Sequence, residues 1–326
     1  MATSPADRTI EEIVRDASSA PSMHNAQPWR FRYDRADRVF ELRPDLERSM
    51  AHADRFHRAL HLGCGAALFN LRVAAAHRGW YPGTSILPRP EDQRLLARVR
   101  LEERQPPQDL VGLYPALSRR HTSRDPFEPR PVPESVREEL CRAAEAEGAG
   151  MSFPERWYVE SIADLVQDAE AHDVLAPDPD LVRWTYPGAH AEDEGVPEHA
   201  FGPRKRRGRA PVRDFAGRRR VPGRATADFE ADPQLALLTT RRDRIPDWVR
   251  AGQALERVLL LATLRGLATA LTSHALEAPE LRWLVRDPQA PPGHVQMVLR
   301  LGYGPPGPPT PRRPVRDVLV ITGAAG

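Results

Sequence analysis

Cysteine is nearly absent from this chain of 326 residues, which carries Cys64 and Cys141 alone. Two thiols without CxxC spacing build neither a disulfide framework nor a thiolate zinc knot, and they fit a reducing compartment. Lysine is scarcer still: Lys205 is the sole one, so the cationic side is almost entirely arginine. Spread evenly along the chain beside 34 prolines, the arginines reflect a GC-rich coding habit more than a binding function. No run of 18 apolar residues occurs, and the first residues lack the basic-then-apolar pattern of a secretory leader, so the expectation is a cytoplasmic protein without membrane partners. Net charge is only +2 although 28% of residues are charged, which excludes a general pull towards nucleic acid.

What is present is patterned. Ile10, Ile13, Val14 and Ala17 share one face of a helix over 9–20, with Thr9 and Glu12 spaced as a capping box. Residues 29–33 and 39–42 alternate as a hairpin, 60–77 form a buried helix stopped by Gly79, and 95–101 alternate as a strand. A second half opens near Asp109 with a helix to Arg120, a proline-flanked loop, a helix to about Glu147, a strand at 157–159 and a helix over 163–172. A long helix over 248–266, a strand over 295–301 and a proline-rich tail close the chain. Between 184 and 233 periodicity vanishes, the mark of a functional lid or a disordered segment.

The chain also repeats itself. Residues 65–79 align without gaps on 252–266, sharing both end glycines, an Ala-Leu pair and the Arg-Gly ending. A duplicated unit predicts a pseudo-twofold contact between the two copies of the long helix.

Three segments carry polar chemistry. Ala20-Pro-Ser-Met-His-Asn-Ala-Gln-Pro-Trp29 is a turn stiffened by two prolines and rich in hydroxyl and amide groups. Arg120-His-Thr-Ser-Arg124 offers two guanidinium groups and a hydroxyl, which suit a phosphate. Thr310-Pro-Arg-Arg-Pro314 adds two more arginines. The basic runs 204–209 and 218–220 lack interleaved aromatics, so a solvated lid surface is expected there over nucleic-acid binding. His52, His57, His61 and Cys64 lack a completing ligand at metal-site spacing, and Gly63-Cys-Gly65 lacks the third glycine and preceding strand of a dinucleotide fingerprint.

The pattern AP-S-x-x-N-x-Q-P-W after the first helix resembles the hallmark loop of the nitroreductase superfamily of FMN proteins, and Arg120-x-Thr-x-Arg124 is similar to that family's Arg-x-Ser-x-Arg segment with threonine for serine. The resemblance implies an α+β, nitroreductase-like fold and an FMN whose ring is touched by Pro21, Ser22, Met23 and Asn25. It further implies a phosphate held by Arg120, Thr122, Arg312 and Arg313, with Arg124 near ring nitrogen N1 and Thr272, Ser273 and His274 near N5. Each half holds a different part of one site, so the reading is two fused half-units, 1–108 and 109–326, forming an intramolecular pseudo-dimer and hence a monomer with one FMN. Closer still, the segments 193–197, 200–203, 212–215, 251–259 and 308–314 resemble the Acg-type proteins, lid-bearing nitroreductase-like flavoproteins associated with stress and dormancy. That resemblance makes 186–233 a lid. It implies an oxidoreductase passing electrons from NAD(P)H to an acceptor such as a nitroaromatic or quinone; the alternative is a flavin-storage protein whose lid bars turnover.

Overall fold

The computed structural model describes residues 5–175, 183–184, 192–217, 219–277 and 279–323. Helix α1 (Asp7–Ala17) leads through the loop 18–28 into a hairpin of β1 (Trp29–Asp34) and β2 (Val39–Pro44). Helix α2 (Arg58–His77), strands β3 (Tyr81–Ile86) and β4 (Ala97–Glu102), and the short α3 (Gln108–Val111) follow. Next come α4 (Glu134–Glu145), β5 (Gly150–Ser152), α5 (Arg156–Leu175), and the small parallel pair β6 (Arg204–Arg207) and β7 (Thr226–Asp228). Strand β8 (Leu235–Thr240), helix α6 (Ile245–Leu264), β9 (Ala268–Thr272), β10 (His294–Gly302) and β11 (Leu319–Thr322) complete the chain.

Two sheets back onto a central helix pair. The first runs β11-β1-β2-β4-β3 and the second β5-β8-β10-β9. The last strand, β11, pairs in parallel with β1, so the chain's end closes the sheet that its beginning started. One core fills the space between α1, α2 and the first sheet and takes in Val249 of α6; another lies between α4, α6 and the second sheet and takes in Leu62 of α2. Each long helix thus lends an apolar side chain to the core packed around the other, worth about 1.5–3 kcal/mol apiece. Leu62 and Val249 each lie three residues before a copy of the internal repeat.

Several local expectations change. Residues 157–159, expected as a strand, lie in α5, where Tyr158, Ile162 and Val166 are buried at helical spacing that a three-residue window cannot reveal. The helix expected from Asp109 to Arg120 breaks into α3 and a single turn at Tyr114–Ala116, because Gly112 loosens it and Pro115 lacks an N–H. Helix α1 starts at Asp7 with Ala6 at its cap and no side-chain capping bond, so Thr9 sits inside the first turn. Strand β8 was invisible to alternation because Leu235, Ala236, Leu237 and Leu238 are all buried. Strands β3 and β11 are likewise additions.

Of the expected lid 186–233, residues 186–191 and 218 lie outside the described residues. The remainder has its own small core of Val196, Ala200, Phe201, Phe215 and Ala216. The basic run enters β6, where Arg206 makes a two-point ion pair with Asp228 at 2.8 and 2.7 Å and Arg209 faces Glu160 at 3.2 Å. Among the described residues α2 is the one helix long and apolar enough to cross a bilayer, and 94% of its apolar window is buried inside the fold.

Candidate functional site

The loop between α1 and β1 is strained and strongly pinned. His24, Asn25 and Gln27 hold φ angles of 49°, 57° and 53°. Such left-handed backbone costs on the order of 1–3 kcal/mol per non-glycine residue, so surrounding bonds must hold it. The Asn25 amide donates to the carbonyls of Gly195 at 2.9 Å and Pro311 at 3.0 Å, and the Gln27 amide donates to Asp193 at 2.7 Å. The Gln27 N–H donates to the Ser22 hydroxyl at 2.9 Å. Loop, expected lid and tail therefore meet at Asn25.

The second segment is tied to the sheet. Thr122 bridges Thr269 at the start of β9, and the Ser123 N–H donates to the Thr269 carbonyl at 2.8 Å. That anchoring sends Arg120 and Arg124 in different directions. The Arg120 guanidinium donates to the Ser19 carbonyl at 3.0 Å and lies 3.4 Å from Glu256 of α6, both side chains being buried. Arg312, arriving from the tail, donates to the same Ser19 carbonyl at 2.9 Å, to Asn25 Oδ1 at 3.1 Å and to the Thr310 hydroxyl at 2.6 Å.

Two guanidinium groups so close, with a single carboxylate beside them, make an unbalanced positive site. Burial, and then Arg120, bring the Arg312 pKa down to about 9; burial, then Arg120 and Arg312, bring His121 down to about 4. Burial pushes the Glu256 carboxyl up to about 7 against the pull of Arg120. The Nε atoms of Arg120 and Arg312 are buried without a hydrogen-bond partner. Buried cations without matching acceptors are costly, and an anion bearing several oxygens offsets that cost.

These residues line one cavity. Pro21, Ser22, Met23, Asn25, Arg120, Thr122, Arg124, Thr272, Ser273, His274 and Arg312 all contribute to its wall. Arg313 does not. Its guanidinium faces Asp45 at 3.4 Å and the carbonyls of Gln27 and Asp317, so the expected phosphate contact from Arg313 is withdrawn. The physical reason is that Asp45 and the carbonyls of Gln27 and Asp317 hold the Arg313 guanidinium away from the cavity that Arg312 lines.

The expected lid supplies Val196, Pro211, Val212, Arg213 and Phe215 to the same wall. Arg124 donates to the Ala200 carbonyl at 2.8 Å and lies 4.6 Å from the Phe215 ring centroid, and burial lowers its pKa to about 10. Thr272 donates its hydroxyl to the Pro211 carbonyl at 2.9 Å, and Ser273 to Glu277 at 2.7 Å. Glu277 also takes a two-point bond from Arg213 at 2.8 and 3.2 Å. His24 lies edge-on to Phe215 at 5.8 Å, and burial, then Arg213, hold it well below the usual histidine range.

Sequence reasoning missed Arg58, Arg213 and Glu256. Glu256 had a signal, being an acid set among Ala, Leu and Val on a buried helix. Arg58, whose guanidinium donates to the Gln296 carbonyl at 2.5 Å across the two halves, had none.

No family model matches the chain. It is 32% identical over 327 residues, 97% of this chain and 92% of the relative, to a Mycobacterium tuberculosis protein provisionally named an NAD(P)H nitroreductase. A second relative from that organism, provisionally named the NAD(P)H nitroreductase Acg, is 30% identical over 330 residues, 96% of this chain and 95% of the relative. The chain belongs to the Acg branch of the nitroreductase family. Coverage at this level spans the loop after α1, the paired-arginine segment, residues 186–233 and the tail. Among solved structures, a BluB-like flavoprotein from Clostridium difficile superposes with a TM-score of 0.42 and 15% identity, over 65% of this chain and 99% of that one. An FMN- and NADPH-dependent nitroreductase from a Sphigopyxis strain gives 0.39 at 19% identity over 65% of this chain. Both likenesses are too slight to build on.

Proposed function

We propose that the cavity holds one FMN and that the chain is an FMN-dependent oxidoreductase taking electrons from NAD(P)H to a small acceptor such as a nitroaromatic or quinone. The observation that carries this is the pair of guanidinium groups, Arg120 and Arg312, converging on the Ser19 carbonyl with the buried Nε of each lacking a hydrogen bond and only the Glu256 carboxylate, 3.4 Å from the Arg120 Nε, beside them among the described residues. Arg120, Thr122 and Arg312 would hold the phosphate, and Pro21, Ser22, Met23 and Asn25 the ring. Thr272, Ser273 and His274 would approach the ring's reactive edge. A bound flavin supplies the hydride chemistry; the protein binds, orients and tunes it. Arg124 and Arg58, half-buried and buried on the wall, favour a ring that carries negative charge when reduced.

The two half-units are read as a fused pseudo-dimer in one chain, which the reciprocal burial of Leu62 and Val249 supports. A monomeric cytoplasmic protein fits that reading, as do two free cysteines. A second function is favoured by the lid: Thr272 to Pro211, Arg213 to Glu277 and Arg124 to Ala200 fasten it over the cavity. On that reading FMN is sequestered with little turnover.

One experiment separates them. The purified protein is mixed anaerobically with NADPH and with NADH while the flavin spectrum is followed. Rapid bleaching supports the oxidoreductase, persistent yellow supports sequestration, and a colourless protein that takes up no added FMN refutes both.

A further inference from the structure

A second cavity lies beside the first, and Arg58 is part of the wall of each. Its floor is a closed polar network. Asp243 takes both guanidinium nitrogens of Arg282 at 2.6 and 2.9 Å and the indole N–H of Trp248 at 2.6 Å. Asp54 accepts the N–H groups of Ala59 and Leu60 at 2.9 and 2.8 Å. Glu277, on the same lining, is held by Arg213. Every carboxylate facing this cavity is therefore already engaged.

The rim is the opposite. Trp283 is 71% exposed and Phe56 63%, two of the four exposed large hydrophobic side chains among the described residues, and both rim this one cavity. Arg55, Arg241 and Arg286 stand on the same rim, and among the described residues their guanidinium groups have no hydrogen-bond or ion-pair partner. Large exposed aromatic faces are unfavourable in water and contribute nothing to the fold, and with exposed arginines beside them such a rim suits a planar ring that carries phosphate.

We propose that this cavity is a nucleotide site, in which Trp283 and Phe56 take the flat face of a base and Arg55, Arg241 and Arg286 take its phosphates. The inference does not depend on FMN in the neighbouring cavity. Two sources have the required chemistry. One is the adenine half of a pyridine dinucleotide whose other half reaches past Arg58; the other is a separate mononucleotide.

Calorimetric titration of the full-length protein with 2′,5′-ADP, AMP, adenosine and inorganic pyrophosphate tests this directly, without activity as a readout. The nucleotides should bind, with adenosine and pyrophosphate each about tenfold weaker or worse. Trp283→Ala and Arg286→Ala should each weaken AMP about tenfold, with flavin content unchanged, whereas Trp157→Ala, a half-exposed tryptophan elsewhere, should leave AMP binding as it was. If 2′,5′-ADP competes with NADPH and Trp283→Ala raises KM with kcat unchanged, the occupant is the dinucleotide's adenine half. Nucleotide binding without such competition assigns the site to a separate nucleotide. Absence of nucleotide binding, pyrophosphate binding as tightly as AMP, or variants that bind like the parent would overturn the proposal.

Discussion

Gly65 of α2 and Gly252 of α6 press against each other's backbone where the two long helices cross: a Cβ on Gly252 would lie 2.8 Å from the Gly65 Cα, and one on Gly65 3.0 Å from the Gly252 Cα. The contact is reciprocal, since a Cβ on Gly65 would also strike the Val249 carbonyl and one on Gly252 the Leu62 carbonyl. Those two carbonyls stand in the same place relative to the internal repeat, three residues before its first glycine in each copy. An isologous contact of this kind is what a twofold interface between like units produces.

Replacing either glycine with alanine should therefore force the helices apart. The obstacle is backbone, which cannot swing aside as a flexible side-chain end can, so a loss of about 1–3 kcal/mol is expected. Thermal unfolding should show Tm falling by several degrees for Gly65→Ala and for Gly252→Ala. An unchanged Tm in both would mean that the crossing is not close.

Arg120→Ala and Arg312→Ala should each weaken FMN retention. A charge-assisted bond contributes about 1.5–3 kcal/mol, so Kd should rise by a factor on the order of 10 to 100. Arg313→Ala, whose side chain faces Asp45 instead, should change it little. Equilibrium dialysis against FMN measures all three, and circular dichroism checks that the fold persists. Equal losses for Arg312 and Arg313 would contradict the assigned directions of the tail.

Glu256 should make anion binding depend on pH. Its folded-state pKa is raised to about 7 by burial, above its unfolded value, so the folded chain holds an extra proton between those two values and loses stability as pH rises through that window. A phosphate beside Arg120 disfavours the ionised carboxylate further, so binding takes up a proton near neutrality. FMN affinity should then fall from about pH 6 to about pH 8 more steeply in the parent than in Glu256→Gln. Comparing the two cancels the titration of the phosphate itself. Parallel pH profiles would show that Glu256 does not titrate in this range.

The bond from Arg213 to Glu277 joins the expected lid to the turn after β9 with both side chains mostly buried, 9% and 13% exposed. Arg213→Ala should remove the two-point bond and leave Glu277 with Ser273 as its hydrogen-bond donor, loosening the expected lid. Faster tryptic cleavage within β6 and faster flavin reduction by NAD(P)H are the expected results. Cleavage and reduction at the parent's rates would show that closure does not rest on this pair.

Much of the site was legible in the sequence because its motifs are local. The loop after α1, the paired-arginine segment and the tail could each be picked out from a few neighbouring residues, and eleven of the twelve expected contacts line one cavity. Arg313 failed because composition cannot tell which of two adjacent arginines faces inward. Arg58 was missed because it lies in a stretch without a motif, and Arg213 because the segment 212–215 marked a resemblance without assigning the arginine a contact; each gains its place from elements far along the chain.

The sequence by itself determined the two long apolar helices, their shared glycine spacing and the polar loops between them, since periodicity and turn chemistry act over a few residues. Only the tertiary structure decided that Gly65 meets Gly252, that β11 returns to pair with β1, and that Ser19 gathers both Arg120 and Arg312. These are contacts between segments up to about 290 residues apart, fixed by how the cores close and not by any local preference.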